Sequence, residues 1–404
     1  MARSLALSNA HMGIRFTFAL VALGALGACG GSSSSSSSSD AGSDATGGGS
    51  LGFTPSNVDL GGLDLSVAGD VVLSGTSSCI IDTELKDGPT FLPCAQDVNY
   101  RVAHKIVTLP DQSRISVFVM KSLRIESSTV VKTLGHLPLV LVALDTMELL
   151  GSIDVAPGTA GGAFDTAKYA AGSGKGGGTA GDSTGLAGGG GSYCGLGGKG
   201  GTNNASGGSA PVAPSPGYGA AEIVPLLAGS AGGSGAVTND VGSGGGALQL
   251  VAGKSFTLHG AAFVNVGGGG GAFGGLGKDG AGGGGSGGAL LIESPVITIE
   301  GKLAANGGGG GQGNGDSGDP GHPDQVAQGG HKAGKGDPAG NGLFGVTLNG
   351  ADGPSSADPV TSAGSGGGGA GRIRLNTSAG QAAITGALSP DASSACLSQG
   401  TLKK

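Results

Sequence analysis

Few residues in this chain have the types and spacing that chemistry needs. Gly284-Gly285-Ser286-Gly287-Gly288 fits the G-x-S-x-G pattern of a nucleophilic serine. That pattern works when a sharp strand-to-helix turn lifts the serine above a sheet. Here it lies inside a glycine run, so no catalytic role is assigned to Ser286. Gly253-Lys254-Ser255 misses the phosphate-cradling G-x-x-x-x-G-K-[ST] loop, because Leu248 stands where the first glycine belongs. Gly274 to Asp279 (GGLGKD) fits the first six positions of the calcium-binding nonapeptide G-G-x-G-x-D-x-U-x. Its eighth position is Ala281, and the ion of that motif sits between tandem copies, of which this chain has one. Asp279 is therefore a candidate Ca²⁺ ligand without the repeat that would build its site. Asp316, Asp319 and Asp324 lie with His322 and His331 in the stretch 311–337. They offer hard-oxygen and imidazole donors, and Asp316 and Asp319 are further metal candidates, although a solvated loop explains them as well.

Sugar chemistry needs two carboxylates flanking one bond. The carboxylates inside apolar runs (Glu126, Glu148, Asp154, Glu293, Glu300) are scattered, and only His259 and Glu300 align. That pair is expected to be a surface contact. The chain has no Trp, the strongest platform for a sugar face, and no repeated Thr-x-Thr ladder of an ice-binding surface. No catalytic and no cofactor-binding residue is predicted.

The elements that must position these residues recur. Ile115 to Lys121 leads to Leu123 to Glu126 and Thr129 to Thr133; Leu137 to Leu144 leads to Thr146 to Leu150 and Ser152 to Val155. Ala247 to Ala252, Ala289 to Ser294 and Arg372 to Asn376 each open a further unit of the same form. Four of the five units have a glycine after the second run: Gly151, Gly260, Gly301 and Gly386. Such units bury an apolar stripe only by stacking on one another. The predicted fold is all-β, a parallel β-helix of about five coils over residues 113–390. One inward column is Leu123, Met147, Phe256 and Ile297; the next is Ile125, Leu149, Leu258, Ile299 and Ile384. Arg124, Glu148, Thr257 and Thr298 should face out by alternation. An antiparallel sandwich is the rival, but two-residue Asn-Gly hairpin turns are lacking between the runs.

The glycine-rich insertions 156–246, 267–288 and 307–371 leave and re-enter at one corner. Glycine supplies 93 of the 404 residues, and aromatics only 3%. Apolar residues at 37% and charged residues at 12% fall below globular usage. Flexible coil is the plain expectation for the insertions; polyproline-II helices packed together are the alternative, since absent side chains permit it. Residues 51–112 are expected to cap the first coil, and 391–404 to form a tail. The formal charge of -7 carries no basic block, which excludes nucleic acid as an obvious partner.

The first residues give the destination. Phe16 to Ala28 is an apolar run of thirteen residues after Arg3, His11 and Arg15, too short to span a bilayer and right for a signal core. It ends in Leu26-Gly27-Ala28-Cys29, which resembles the lipobox of bacterial lipoproteins. The resemblance implies a signal peptide at 1–28, removed before a diacylated Cys29, with Met1 or Met12 as the start. Two or three acyl chains anchor durably. Residues 30–50 (GGSSSSSSSSDAGSDATGGGS) read as a tether spanning about 25 Å. Gly30 after the cysteine implies the outer membrane if the enterobacterial sorting pattern applies.

Four cysteines remain: Cys79, Cys94, Cys194 and Cys396. In an oxidising compartment they suggest two disulfides with three connectivities, Cys79–Cys94 with Cys194–Cys396 being preferred. Residues 51–404 as a whole are similar to glycine-rich surface lipoproteins with predicted β-helices, through units such as Gly287 to Gly311 (GGALLIESPVITIEGKLAANGGGGG). That resemblance implies an envelope or surface location and carries over no catalytic residue. The expected role is structural or adhesive, with a surface glycan or an envelope protein as partner. The alternative is a polysaccharide lyase or hydrolase built on a β-helix.

Overall fold

The computed structural model describes residues 51–75, 79–84, 91–92, 101–156, 171–182, 184–204, 209–235, 241–274, 280–333, 338–357 and 363–404. Cys29, Cys94, Asp279 and the tether lie outside them. Among the described residues no helix is long and apolar enough to cross a membrane. The first strands are β1 (Asp70–Leu73), β2 (Cys79–Asp82), β3 (Phe91–Leu92) and β4 (Ala103–Thr108). Three triplets follow: β5 (Arg114–Met120), β6 (Ser122–Ile125), β7 (Val130–Leu134); β8 (Leu139–Ala143), β9 (Thr146–Leu149), β10 (Ser152–Asp154); β11 (Ala247–Ala252), β12 (Ser255–Leu258), β13 (Phe263–Asn265). Two more are β14 (Ala289–Glu293), β15 (Val296–Ile299), β16 (Lys302–Ala304) and β17 (Arg372–Thr377), β18 (Ala383–Ile384), β19 (Ala387–Ser389), before β20 (Leu397–Thr401).

The chain winds these into three sheets. Sheet 1 runs β1-β6-β9-β12-β15-β18, sheet 2 runs β19-β16-β13-β10-β7-β2-β3, and sheet 3 runs β20-β17-β14-β11-β8-β5-β4. Pairing is parallel except at β2–β3 and β4–β5. The result is a β-helix-like solenoid. The inward columns fall in the expected register: Val71, Leu123, Met147, Phe256 and Ile297 align, and two residues on so do Leu73, Ile125, Leu149, Leu258 and Ile299. These side chains are buried in one apolar core that all three sheets share.

The corner glycines have a steric reason. A Cβ on Gly151 would lie 2.4 Å from the Glu126 carbonyl oxygen, and one on Gly386 would lie 1.9 Å from that of Gly301. Coils stacked at β-sheet spacing leave no room for a side chain at Gly151, Gly301 and Gly386, whereas at Gly260 the nearest atom to a Cβ is 4.0 Å away.

Three expectations need correcting. Residues 51–112 do more than cap: β1 and β2 stack in parallel register on β6 and β7, because Val71 and Leu73 continue the inward columns. Residues 391–404 are no loose tail, since β20 extends sheet 3 alongside β17. The glycine insertions are also not coil where they are described. Most of their glycines are buried, and their amides bond to carbonyls of neighbouring insertions.

The bonding has a period of three. Gly188 and Gly191 donate to Ala281 and Gly284 of one neighbour; Gly189 and Ser192 donate to Thr179 and Gly176 of a second. Gly190 and Tyr193 donate to Gly198 and Gly195 of a third. Three residues per turn without internal hydrogen bonds is polyproline-II geometry. The segments 186–193, 280–288, 305–312 and 363–371, with their neighbours, therefore form a bundle of rods. Contact is so close that a Cβ on Gly190 would sit 1.9 Å from the Gly367 carbonyl oxygen, and one on Gly283 2.0 Å from that of Gly189.

The rods run directly into the sheets. Gly246, Gly288 and Gly371 immediately precede β11, β14 and β17. Cys194 is disulfide-bonded to Cys396, tying the turn between two rods to the chain just before β20. Cys79 is disulfide-bonded as well.

Candidate functional site: the charged row on sheet 1

Sheet 1 turns its outer face to solvent, and the alternation of β6, β9 and β12 puts Arg124, Glu148 and Thr257 there in one row. One residue past the ends of β6, β12 and β15 stand Glu126, His259 and Glu300. Arg124 is ion-paired to Glu148 through Nη1, and its Nε lies 2.7 Å from Glu126 Oε1. His259 sits between two carboxylates, with Nε2 3.1 Å from Glu148 Oε1 and Nδ1 3.5 Å from Glu300 Oε2. The pairing of His259 with Glu300 follows the sequence alignment; the links to Glu148 and Arg124 do not. Their signal was the i to i+2 spacing of Arg124 and Glu126 beside Glu148 one coil on.

The electrostatics of the row oppose acid catalysis. Partial burial pushes the Glu148 carboxyl up, but hydrogen bonds from Arg124 and His259 outweigh it and hold Glu148 below the usual carboxylate range. The two carboxylates raise the Arg124 guanidinium. A general acid needs the opposite shift, a carboxyl kept protonated near the working pH. Glu148 and Glu300 also face one imidazole, not an open cleft, and neither residue lines the grooves described below. The row can hold successive coils in register and present fixed charge. Lys121 with Asp70 (3.0 Å) and Lys254 with Asp145 add paired charges along the corner between sheets 3 and 1.

The other candidates lie apart. Ser286 is fully buried in its rod, where its hydroxyl accepts the Ser230 amide at 2.8 Å, which leaves it no access to a substrate. Asp316 is exposed at a turn, and its carbonyl accepts the Gln312 amide. Asp319 is half-buried, and its backbone bonds to Gln328 and Gly309. Asp324 pairs with Lys302 at 3.1 Å, and no three His, Cys, Asp or Glu among the described residues are arranged to hold a metal ion.

Two carboxylates that looked scattered have structural surroundings. Glu293 ends β14 on the outer face of sheet 3 and is fully buried, and its donors among the described residues, Ser56, Gln249 and Asn376, are neutral. Asp154 ends β10 beside Asn265, and burial raises its carboxyl above the usual range despite bonds from the Ala156 amide and Asn265.

Two grooves border residues 51–59. One of about 500 Å³ is lined by Pro55, Val58, Leu109, Pro110 and Pro225, and the other, of about 620 Å³, by Leu51, Phe53, Pro295 and Leu402. Neither gathers a set of titratable groups.

No family model, no curated protein and no solved structure matches this chain.

Proposed function

We propose that this chain is a lipid-anchored envelope protein whose solenoid and rod bundle serve a structural or adhesive role, displaying surface rather than catalysing a reaction. The observation that carries the reading is the way the bundle is ordered. The rods that end at Gly246, Gly288 and Gly371 run into strands, and Cys194 ties another pair of rods through Cys396 to the chain before β20. At the other end the turns gather: Leu186 bridges Thr202, Asn203 bridges Ser356, and Gly181 donates to Ser234. Such a scaffold holds many turns together at one place, on an interior that side chains do not fill. Ligand-contacting segments of proteins are commonly loops held by a rigid base. The sequence of the first fifty residues supports membrane attachment through Cys29, with the outer membrane as the site and an envelope protein or a surface glycan as partner. The internally paired charges of sheet 1 favour this reading over a polysaccharide lyase or hydrolase.

Protease shaving of intact cells tests the display. Loss of the chain from shaved cells, with a diacylated Cys29 in the membrane fraction, is the expected result. An unmodified Cys29 sinks the anchor. Turnover of any member of a panel of acidic and neutral polysaccharides, with or without Ca²⁺, overturns the non-catalytic role.

A further inference from the structure

Residues 51–68 cross the outer face of sheet 3 as a strap. Its apolar side, including buried Leu51 and Val58 with Phe53 and Leu60, packs against outward residues of sheet 3 such as Val140 and Leu291. None of the strap residues belongs to the core inside the solenoid. The strap is fastened by polar groups along a short stretch. The Thr54 amide donates to the Lys403 carbonyl at 2.9 Å. Ser56 donates its amide to Glu293 Oε2 at 2.9 Å and its hydroxyl to Oε1 at 2.6 Å. Asn57 Nδ2 reaches the Ile223 carbonyl at 3.0 Å and Gln249 Oε1 at 3.2 Å.

Glu293 is the centre of this fastening. Besides Ser56 it accepts from Gln249 Nε2 at 2.7 Å and Asn376 Nδ2 at 3.0 Å, so each carboxylate oxygen has two donors. Asn376 Oδ1 in turn accepts from Arg374 Nε at 2.7 Å. A buried carboxylate tolerates low dielectric only while its acceptor sites are filled. Removing Ser56 takes away both strap donors together, one for each oxygen. The strap therefore cannot fray residue by residue past Ser56; it holds or it releases.

We propose that the strap is a force-gated cover. The Glu293 clamp sets the pull at which it leaves sheet 3, and release bares the part of that sheet's apolar outer face that the strap covers, while Tyr193, Ile223 and Leu226 stay in place and the three-sheet core stays closed. The proposal rests on the reading that the residues before Leu51 tether the chain to a membrane, the source of the pull. Peeling ends at Gly69, whose amide is held by the Arg101 carbonyl at 2.9 Å at the entry to β1.

Single-molecule pulling of the full chain carrying Cys29→Ser, with handles at Ser50 and at Thr298 on the exposed face of sheet 1, tests the clamp without the lipid. The expected trace has an early step, from release of 51–68, with an extension on the order of 50 Å. Ser56→Ala, which leaves the solenoid intact, should speed that step by roughly tenfold or more at constant force, as expected for loss of a bond to a charged acceptor. Glu293→Gln should speed it similarly, with the circular dichroism of the chain unchanged. Unfolding in one event, or an early step that Ser56→Ala leaves unaltered, overturns the proposal. Failure of Cys29 acylation in cells would instead overturn the membrane reading and leave the clamp standing.

Discussion

The solenoid and the rod bundle solve the same problem with opposite materials. Both pair their backbone polar groups between neighbours, as buried backbone must. In the solenoid, side chains such as Phe256 and Met147 fill the space between sheets. In the bundle, glycine removes that space, and carbonyl oxygens of one rod touch the α-carbons of the next. The solenoid thus draws on apolar area removed from water, whereas the bundle draws on hydrogen bonds and close contact. One region tolerates changes of shape inside a large apolar volume; the other has no volume to change.

The contrast can be broken at its joint first. Cys194 and Cys396 close a loop with a sequence separation of 202, for which loop entropy predicts about 5 kcal/mol. Replacing both by Ser should lower stability by up to that amount and release hydrogen-exchange protection in the rods before the sheets. Simultaneous loss in both would make them one cooperative unit and remove the distinction. Within the solenoid, Phe256→Ala should cost about 4 kcal/mol in denaturant unfolding, and a cost under about 1 kcal/mol would mean the column is not tightly packed. Within the bundle, Gly190→Ala forces a methyl against the Gly367 carbonyl and should cost about 3 kcal/mol. Gly260→Ala is its control, because the nearest atom to that Cβ is 4.0 Å away, and it should stay within about 0.5 kcal/mol of the parent. Equal effects at the two glycines would refute packing as the reason for glycine in the rods.

The smallest expected effect concerns pH. His104 stacks on Phe118 at 4.4 Å and its Nε2 lies 2.9 Å from Ser116 Oγ, at the first rung of sheet 3. Burial holds its imidazole below the ordinary histidine range. The unfolded chain therefore takes up a proton near pH 6.5, at about the ordinary value, that the folded form resists. The contribution is full above that pH and is lost as pH falls through the depressed folded value. Denaturant midpoints at pH 7.5 and 5.5 should show this slope, and His104→Gln should flatten it. The rod interior at 187–192 and 280–288, built of glycine, alanine and serine, should contribute no slope there.

Much of the solenoid was legible because inward and outward positions alternate in β6, β9, β12 and β15. The bundle was harder to read. Glycine runs carry no periodicity, so the same residues spell coil or rod, and the choice depends on neighbours distant in sequence. The covered face of sheet 3 did leave a mark: ISVFVM, LPLVLVAL and ALLIES lack alternation, as strands buried on both faces do. That signal implied a partner layer, now seen as the strap with Tyr193 and Ile223. Glu293 was visible as a carboxylate but not as a clamp, because its donors come from 237 residues upstream and 83 downstream.

The three-neighbour bonding of the rods also dictates when the molecule can finish folding. A single rod, 280–288, takes and gives hydrogen bonds across segments from Gly188 to Arg372. A chain emerging from its N-terminus can close solenoid turns one after another as each arrives, since coils need only their predecessor. It cannot complete the bundle until its last third has arrived. Synthesis of this chain therefore passes through a species with sheets assembled and glycine segments waiting, whose amides are satisfied by water alone. Because those segments offer almost no side chain to a chaperone or to a neighbouring chain, the waiting carries little danger of aggregation.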